Sequence, residues 1–362
     1  MSESCLAPAG GSASVLLTAR RRWEAFVKEG AGALPLATPL TIGVAARYTV
    51  QSLVPYLGAA MLDAGFAPAI TVAPYNQIFP LCADPEGVLG ATVDALVVLP
   101  RIEELAAPSL RAFLGPAGGA LDDGRAAGAA LAAGLADLRK RFGGTLVVGT
   151  LPWPAMAEVD ALDLDGQAAC FIRAVRTAFA SELASVPDVV RLDIAALQRD
   201  FGARRAFDPR TWYLFRQPYT EAFFGEMGML TARVLAATRH ASRKCLVLDA
   251  DNTLWGGILG EDDIGGICLG DEFPGSAYRD VQRLALHWRR QGIFLAVVSK
   301  NNTDDVMAVF RRHDGMVLRE DDISVFVVNW RPKSEAIAEV ARILNIGVDS
   351  LVFVDDSPYE IA

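Results

Sequence analysis

The sequence predicts an α/β protein made of two three-layer parallel-sheet domains. Three observations carry that expectation. Short apolar runs bounded by turn formers alternate with longer segments of helical period from about Leu40 onward. The 362 residues exceed what one core usually serves. The alternation breaks once, at the polar joint His240–Lys244, and then begins again.

In chain order, residues 1–38 form an N-terminal extension. It has a small-residue, mobile start and then a helical stretch, Ser14–Lys28, which either docks on the next domain or stays a surface helix. The first α/β domain spans 39–240. Its strands are expected at Leu40–Ala46, Ala69–Ala73, Ala95–Leu99, Thr145–Gly149 and Val189–Ile194. Its helices are expected near Gln51–Ala64, Gly124–Phe142, Gly166–Ser185 and Thr220–Ala237. Ala126–Ala136 is rich in Ala and Gly, but Leu131, Leu135 and Leu138 keep the helical spacing, so it reads as a closely packed helix. Arg47-Tyr48-Thr49, Tyr75-Asn76-Gln77 and Arg101 follow strands and gather at one rim, as a cleft or as ordinary loop ends. The second domain spans 243–362. Strands are expected at Cys245–Asp249, Ile293–Val298, Val325–Val328 and Leu351–Val354, with helices at Gly275–Gln291, Thr303–Arg312 and Lys333–Leu344.

Composition removes several function classes. The chain is 52% hydrophobic and 21% charged, as in a packed globular protein. A formal net charge of −9 argues against a nucleic-acid partner, which needs clustered Lys and Arg. The five cysteines (Cys5, Cys82, Cys170, Cys245, Cys268) show no CxxC or Cys/His spacing, so neither a zinc site nor a disulfide framework is indicated. Arg20-Arg21-Arg22 follows the apolar residues instead of preceding them, unlike a signal peptide. No apolar run reaches the ~18 residues that span a bilayer. The expected setting is cytoplasmic, without a membrane partner. The three histidines are His240, His287 and His313, none within 40–235, so a Ser-His-Asp site built wholly from the first domain is excluded.

The chemistry-bearing residues fall at or just beyond strand ends: Asp249 and Asp251, Ser299, Lys333, and Asp355 with Asp356. In a parallel sheet these ends converge on one side. At ~4 Å and an effective dielectric of ~20, each pair of carboxylates repels by about 4 kcal/mol. A hard dication offsets this, and Mg²⁺ suits a site of carboxylates, water and a phosphate. A metal, a lysine and a small hydroxyl around a nucleophilic carboxylate is what phosphoryl transfer requires.

This set, in this order, resembles the haloacid dehalogenase (HAD) superfamily over about residues 244–358. Its four motifs correspond to Asp249-Ala250-Asp251-Asn252-Thr253, Ser299, Lys333 and Asp355-Asp356. The resemblance implies a Rossmann-like core in which Asp249 attacks phosphorus and Asp251 serves as acid and then base. Ser299 and Lys333 would hold phosphoryl oxygens. Asp249, the backbone carbonyl of Asp251, and Asp355 would bind Mg²⁺, with Asp356 at the metal or just behind it. Thr253 is expected to tie down the turn. Asn252, Gly256, Gly257, Lys300 and Asn301 are the substrate-binding candidates. Only 50 residues separate Asp249 from Ser299, and 34 separate Ser299 from Lys333, so neither gap has room for a folded cap.

Longer words narrow the likeness. Leu-Asp-Ala-Asp-Asn-Thr-Leu-Trp-Gly-Gly, Ser299-Lys300-Asn301, Asn329-Trp330-Arg331-Pro332-Lys333 and Phe353-Val354-Asp355-Asp356 look like the FkbH-like branch (subfamily IIIC). Pro74-Tyr75-Asn76-Gln77 and Phe207-Asp208-Pro209-Arg210 resemble the SGNH-hydrolase-like, flavodoxin-like domain that precedes the HAD domain in many such proteins. Tyr48-Thr49 stands where an SGNH enzyme carries its nucleophile, so this domain is expected to bind or scaffold rather than hydrolyse. The branch implies glyceryl transfer from 1,3-bisphosphoglycerate to an acyl carrier protein, with phosphate release, in polyketide-type biosynthesis. A plain phosphatase of a small phosphorylated metabolite, or a weakly active carrier-binding scaffold, are the alternatives. Cys268, in the Gly-rich flap, is the nearest thiol or an ordinary loop cysteine. The sequence given ends six residues after Asp356, where HAD cores continue, so the core is expected to be truncated, with an unpaired sheet edge.

Overall fold

The structure, a computed structural model, describes residues 13–30, 37–105, 121–154, 167–239 and 243–361. The expected mobile start, the beginning of the helix at Gly166, and residues 240–242 of the joint lie outside them. The chain divides into two compact units, Met1–Arg239 and His240–Ala362.

The first unit holds a parallel sheet of β1 (Thr38–Ala46), β2 (Phe66–Val72), β3 (Ala95–Leu99), β4 (Thr145–Gly149) and β5 (Val189–Leu192), in the order β2-β1-β3-β4-β5. Side-chain alternation divides the central strand between two cores. Leu96 and Val98 face one layer; Ala95, Val97 and Leu99 face the other. Helices α1 (Ala13–Glu29), α2 (Val54–Asp63), α3 (Leu121–Arg141), α4 (Gln167–Ala184) and α5 (Glu221–Arg239) supply the layers. Leu131, Leu135 and Leu138 of α3 meet Phe171, Val175 and Phe179 of α4 on one face. Leu57 and Met61 of α2 meet Phe223, Met227 and Leu235 of α5 on the other.

The Ala/Gly-rich run is a closely packed helix for a visible reason. A Cβ on Gly128 would lie 2.8 Å from the Val175 carbonyl of α4. Of the two readings of the N-terminal helix, docking is the one realised. Trp23 of α1 lies against Gly58 of α2, and Leu16 and Ala19 pack on the α2–α5 core. The last strand stops earlier than expected. Asp193 accepts from Ala196 N at 2.9 Å and caps a new helix, Ile194–Phe201.

The second unit holds β6 (Cys245–Leu248), β7 (Phe294–Ser299), β8 (Val325–Val328) and β9 (Leu351–Val354), parallel and ordered β8-β7-β6-β9. α6 (Leu259–Gly266), α7 (Gly275–Arg290), α8 (Thr303–Arg312) and α9 (Lys333–Leu344) flank it. Leu248, Leu295 and Val297 face Ala285, Val306, Val309 and Phe310, while Val247, Ala296 and Val298 face Ala336 and Val340. The Gly-rich flap, Trp255–Gly270, contains α6, interrupted at Asp263 with φ 56°. The intervals from Asp249 to Ser299 and from Ser299 to Lys333 lie within the described residues and hold only this flap, α7, β7, α8, a short 3₁₀ turn and β8.

Gln282 of α7 is fully buried and ties three segments together. Its Nε2 donates to Leu254 O at 2.7 Å, and its Oε1 accepts from Val317 N at 2.8 Å and Leu318 N at 3.1 Å. Gln282→Leu would keep the volume but orphan those three backbone groups, at about 1–3 kcal/mol each. Urea denaturation is expected to show a loss of about 3 kcal/mol or more. A loss below about 1 kcal/mol would mean that these groups find other partners.

Candidate active site

The site follows from strand register. Leu248 of β6 lies opposite Val297 of β7 and Val354 of β9. The next residue, Asp249, therefore emerges between Ser299, which ends β7, and Asp355, which follows β9. Its N–H donates to Val354 O at 3.0 Å, fixing the exit of the chain. Lys333 enters from the first turn of α9, after Pro332. Asp249, Ser299, Lys333 and Asp355 are all buried, and Asp356 is exposed.

Lys333 is the electrostatic centre. Its Nζ lies 2.9 Å from Asp249 Oδ2 and contacts Asp355 Oδ2 still more closely. Asp355 Oδ1 accepts from Ser357 N at 2.8 Å, which orients the carboxylate. Burial pushes the Asp249 carboxyl above its ordinary value, and the Lys333 ammonium only partly offsets this. For Lys333 burial acts downward, but hydrogen bonds and charge from Asp355 and Asp249 outweigh it and hold the ammonium above its ordinary value. Asp249, Asp355 and Asp356 can each present a carboxylate oxygen within 4.8 Å of the other two. Three hard oxygen donors against one ammonium leave excess negative charge in a partly desolvated place, and this set fits a small hard dication.

Asp251 is arranged differently. Its carboxylate is absent from that group of three and is held by donors instead. Oδ1 accepts from Trp255 Nε1 at 2.9 Å and Leu259 N at 3.2 Å; Oδ2 accepts from Asn301 Nδ2 at 2.8 Å. Asn301 also reaches Ser299 Oγ at 3.3 Å. Its amide is buried and serves the two site residues.

Other candidates also spend their polar atoms internally. Asn252 takes a left-handed conformation at φ 54°, and its Oδ1 accepts from Gly257 N at 2.9 Å. Gly257 sits at φ 101°, where an L side chain is strained. Gly256 pairs with Cys268 through two backbone hydrogen bonds, under the ring of Tyr278. Lys300 Nζ lies 2.6 Å from Glu360 Oε1. The turn is tied by the Thr253 N–H, which donates to Ala250 O at 3.2 Å, and the buried Thr253 hydroxyl has no partner among the described residues. Sequence reasoning missed Trp255 as a donor to Asp251. The spacing 251/255, one turn apart, was the available signal.

The rim of the first unit is filled rather than open at Arg101. This side chain is 1% exposed, beside Glu103, and its guanidinium lies 4.8 Å from the Tyr219 ring and 5.8 Å from the Trp212 ring. Tyr48 is buried there, and the Thr49 hydroxyl donates to Phe215 O at 2.5 Å.

No protein-family model matches the chain, and no curated protein matches it by sequence. Solved structures do. The N-terminal part of the protein BF1531 from Bacteroides fragilis, containing a phosphatase domain and complexed with Mg, superposes with a TM-score of 0.79 at 23% identity. The match covers 94% of this chain and 89% of that one. The chain therefore shares the fold of that two-part protein. A putative SGNH hydrolase from Slackia heliotrinireducens matches 56% of this chain and all of its own, at 16% identity and a TM-score of 0.35. That second likeness is too slight to bear on the first unit.

The hold on Asp251 can be tested on stability alone. Asn301→Leu removes a charge-assisted donor and is expected to cost about 2 kcal/mol in denaturant unfolding. Asn301→Asp sets a second carboxylate against Asp251 and is expected to cost more at neutral pH. Equal losses for the two variants would show that residue 301 is not aimed at the carboxylate.

Proposed function

We propose that this protein is a Mg²⁺-dependent enzyme that cleaves a small phosphorylated metabolite through an aspartyl-phosphate on Asp249. The observation that carries the reading is the buried Lys333 bridging Asp249 and Asp355, with Asp356 close enough to complete a three-carboxylate set. Asp249, Asp355 and Asp356 would hold the metal, together with the backbone carbonyl of Asp251. When bound, Mg²⁺ supplies positive charge against the phosphoryl oxygens and the clustered carboxylates.

The side chains divide the remaining work. Asp249 forms the new O–P bond as the bond to the leaving oxygen breaks, and Asp251 donates the proton that the leaving oxygen takes up. Asp251 then removes a proton from the water that attacks phosphorus, which frees Asp249 and releases phosphate. Lys333 and the Ser299 hydroxyl hold phosphoryl oxygens through both steps. Trp255, Leu259 N and Asn301 keep the Asp251 carboxylate in one orientation.

The exposed thiol of Cys268 favours a second, more specific reading. It sits in the flap, backbone-paired with Gly256. A thiol here could attack the acyl carbon of 1,3-bisphosphoglycerate, expelling the 1-phosphate, and pass the acyl group to the thiol of an acyl carrier protein, while Asp249 removes the 3-phosphate, as in polyketide-type biosynthesis. Incubation with 1,3-bisphosphoglycerate and holo carrier protein should then add a glyceryl mass to the carrier. Cys268→Ser should abolish that mass while phosphate release persists.

The general reading has its own test. Asp249→Asn is expected to lower Mg²⁺-dependent phosphate release by at least about 10³-fold, as loss of a nucleophile does, with the circular dichroism spectrum unchanged. Chelation by EDTA should remove activity, and Mg²⁺ should restore it. Undiminished turnover by a folded Asp249→Asn protein would refute the mechanism.

A further inference from the structure

Helix α7 shows solvent an apolar seam that the site does not use. Ala277, Val281, Leu284 and Trp288 are spaced 4-3-4, and the last three are 37%, 57% and 46% exposed. The helix meets its own core through other residues, Gly275, Gln282 and Ala285. A 4-3-4 stripe is the narrow seam by which one helix packs along another.

We propose that the occupant of this seam is α7 of a second copy of the chain, lying antiparallel across a two-fold axis. The spacing is palindromic, so the seam reads the same from either end. With the axis between Gln282 and Arg283, Val281 meets Leu284 of the second copy. Ala277 meets Trp288 of the second copy, so the smallest residue faces the largest.

Charge selects the same orientation. The last turn of α7 carries exposed Arg290, while its neighbour Arg289 is held by Asp321 and Asp322. The other end is preceded by exposed Glu272, while Asp271 there is paired with Arg279. Antiparallel pairing sets Arg290 of each copy toward Glu272 of the other and opposes the helix dipoles; parallel pairing sets like against like. A palindromic seam with oppositely charged ends is what an isologous two-fold contact requires. An unrelated partner would need neither feature.

The test is the oligomeric state of the full chain, by sedimentation velocity over a range of concentrations. The expected result is a reversible dimer. Leu284→Glu should give a monomer with an unchanged circular dichroism spectrum. Arg290→Glu, a surface change that leaves the core alone, should weaken the dimer at least about tenfold, or 1.4 kcal/mol, and Glu272→Arg added to it should restore affinity. Orientation is read by oxidation. A mixture of Ala277→Cys and Trp288→Cys proteins should cross-link beyond the unsubstituted chain, and either variant alone should not. A monomer at every concentration, a dimer indifferent to both Leu284→Glu and Arg290→Glu, or cross-linking of each cysteine variant with itself would overturn the proposal.

Discussion

One ammonium between two buried carboxylates holds the second unit's site together. Lys333 touches Asp249 and Asp355, which leave neighbouring strands at the same height. Without the ammonium, those strand ends would bring like charges together in a place with little water. With it, the pair still leaves Asp249 raised by burial, and Asp356 adds a third acid. The arrangement is stable enough to fold and is still short of positive charge. On the proposed chemistry, those two properties together would suit the cluster to a cation and a phosphate, where a closed internal salt bridge would be inert.

Around this centre a set of hydrogen bonds from uncharged donors fixes what charge alone would leave loose. Asp251 is gripped from three places: an indole in the turn, a backbone amide opening α6, and an amide side chain just past β7. Gln282 locks α7 to that same turn and to the segment that follows α8. Both residues lie within or behind the wall of the site. They convert the packing of the helical layer into the position of a carboxylate, the kind of preorganisation on which charge-transfer chemistry depends.

Much of this was legible in the sequence because parallel sheets translate pattern into place. An apolar run ending in Asp249, another ending in Ser299 and a third ending before Asp355 each mark a strand, and parallel strands must deliver their ends to one side. The alternation that divides Ala95–Leu99 between two cores could be read directly. What could not be read were contacts between residues far apart in sequence. Nothing local says that Gln282 reaches Val317, or that Asn301 turns inward to Asp251. The strand expected to run to Ile194 ended early because Asp193 made a cap, a choice that depends on a side chain folding back on its own backbone. The Gly-rich flap misled in the opposite direction. No helix was expected among its glycines, yet Leu259, Ile264 and Ile267 give α6 enough apolar anchorage to form.

The absence of any inserted domain between Asp249 and Lys333 bears on the fate of a covalent intermediate. On the proposed chemistry, a phosphorylated Asp249 would have no folded lid of its own between it and bulk solvent. Its lifetime would be set by competition between abundant water and whatever acceptor already occupies the surface. A second substrate could win that race only by being docked before the first bond breaks. Order of binding, rather than shielding, would then decide between hydrolysis and transfer in this fold.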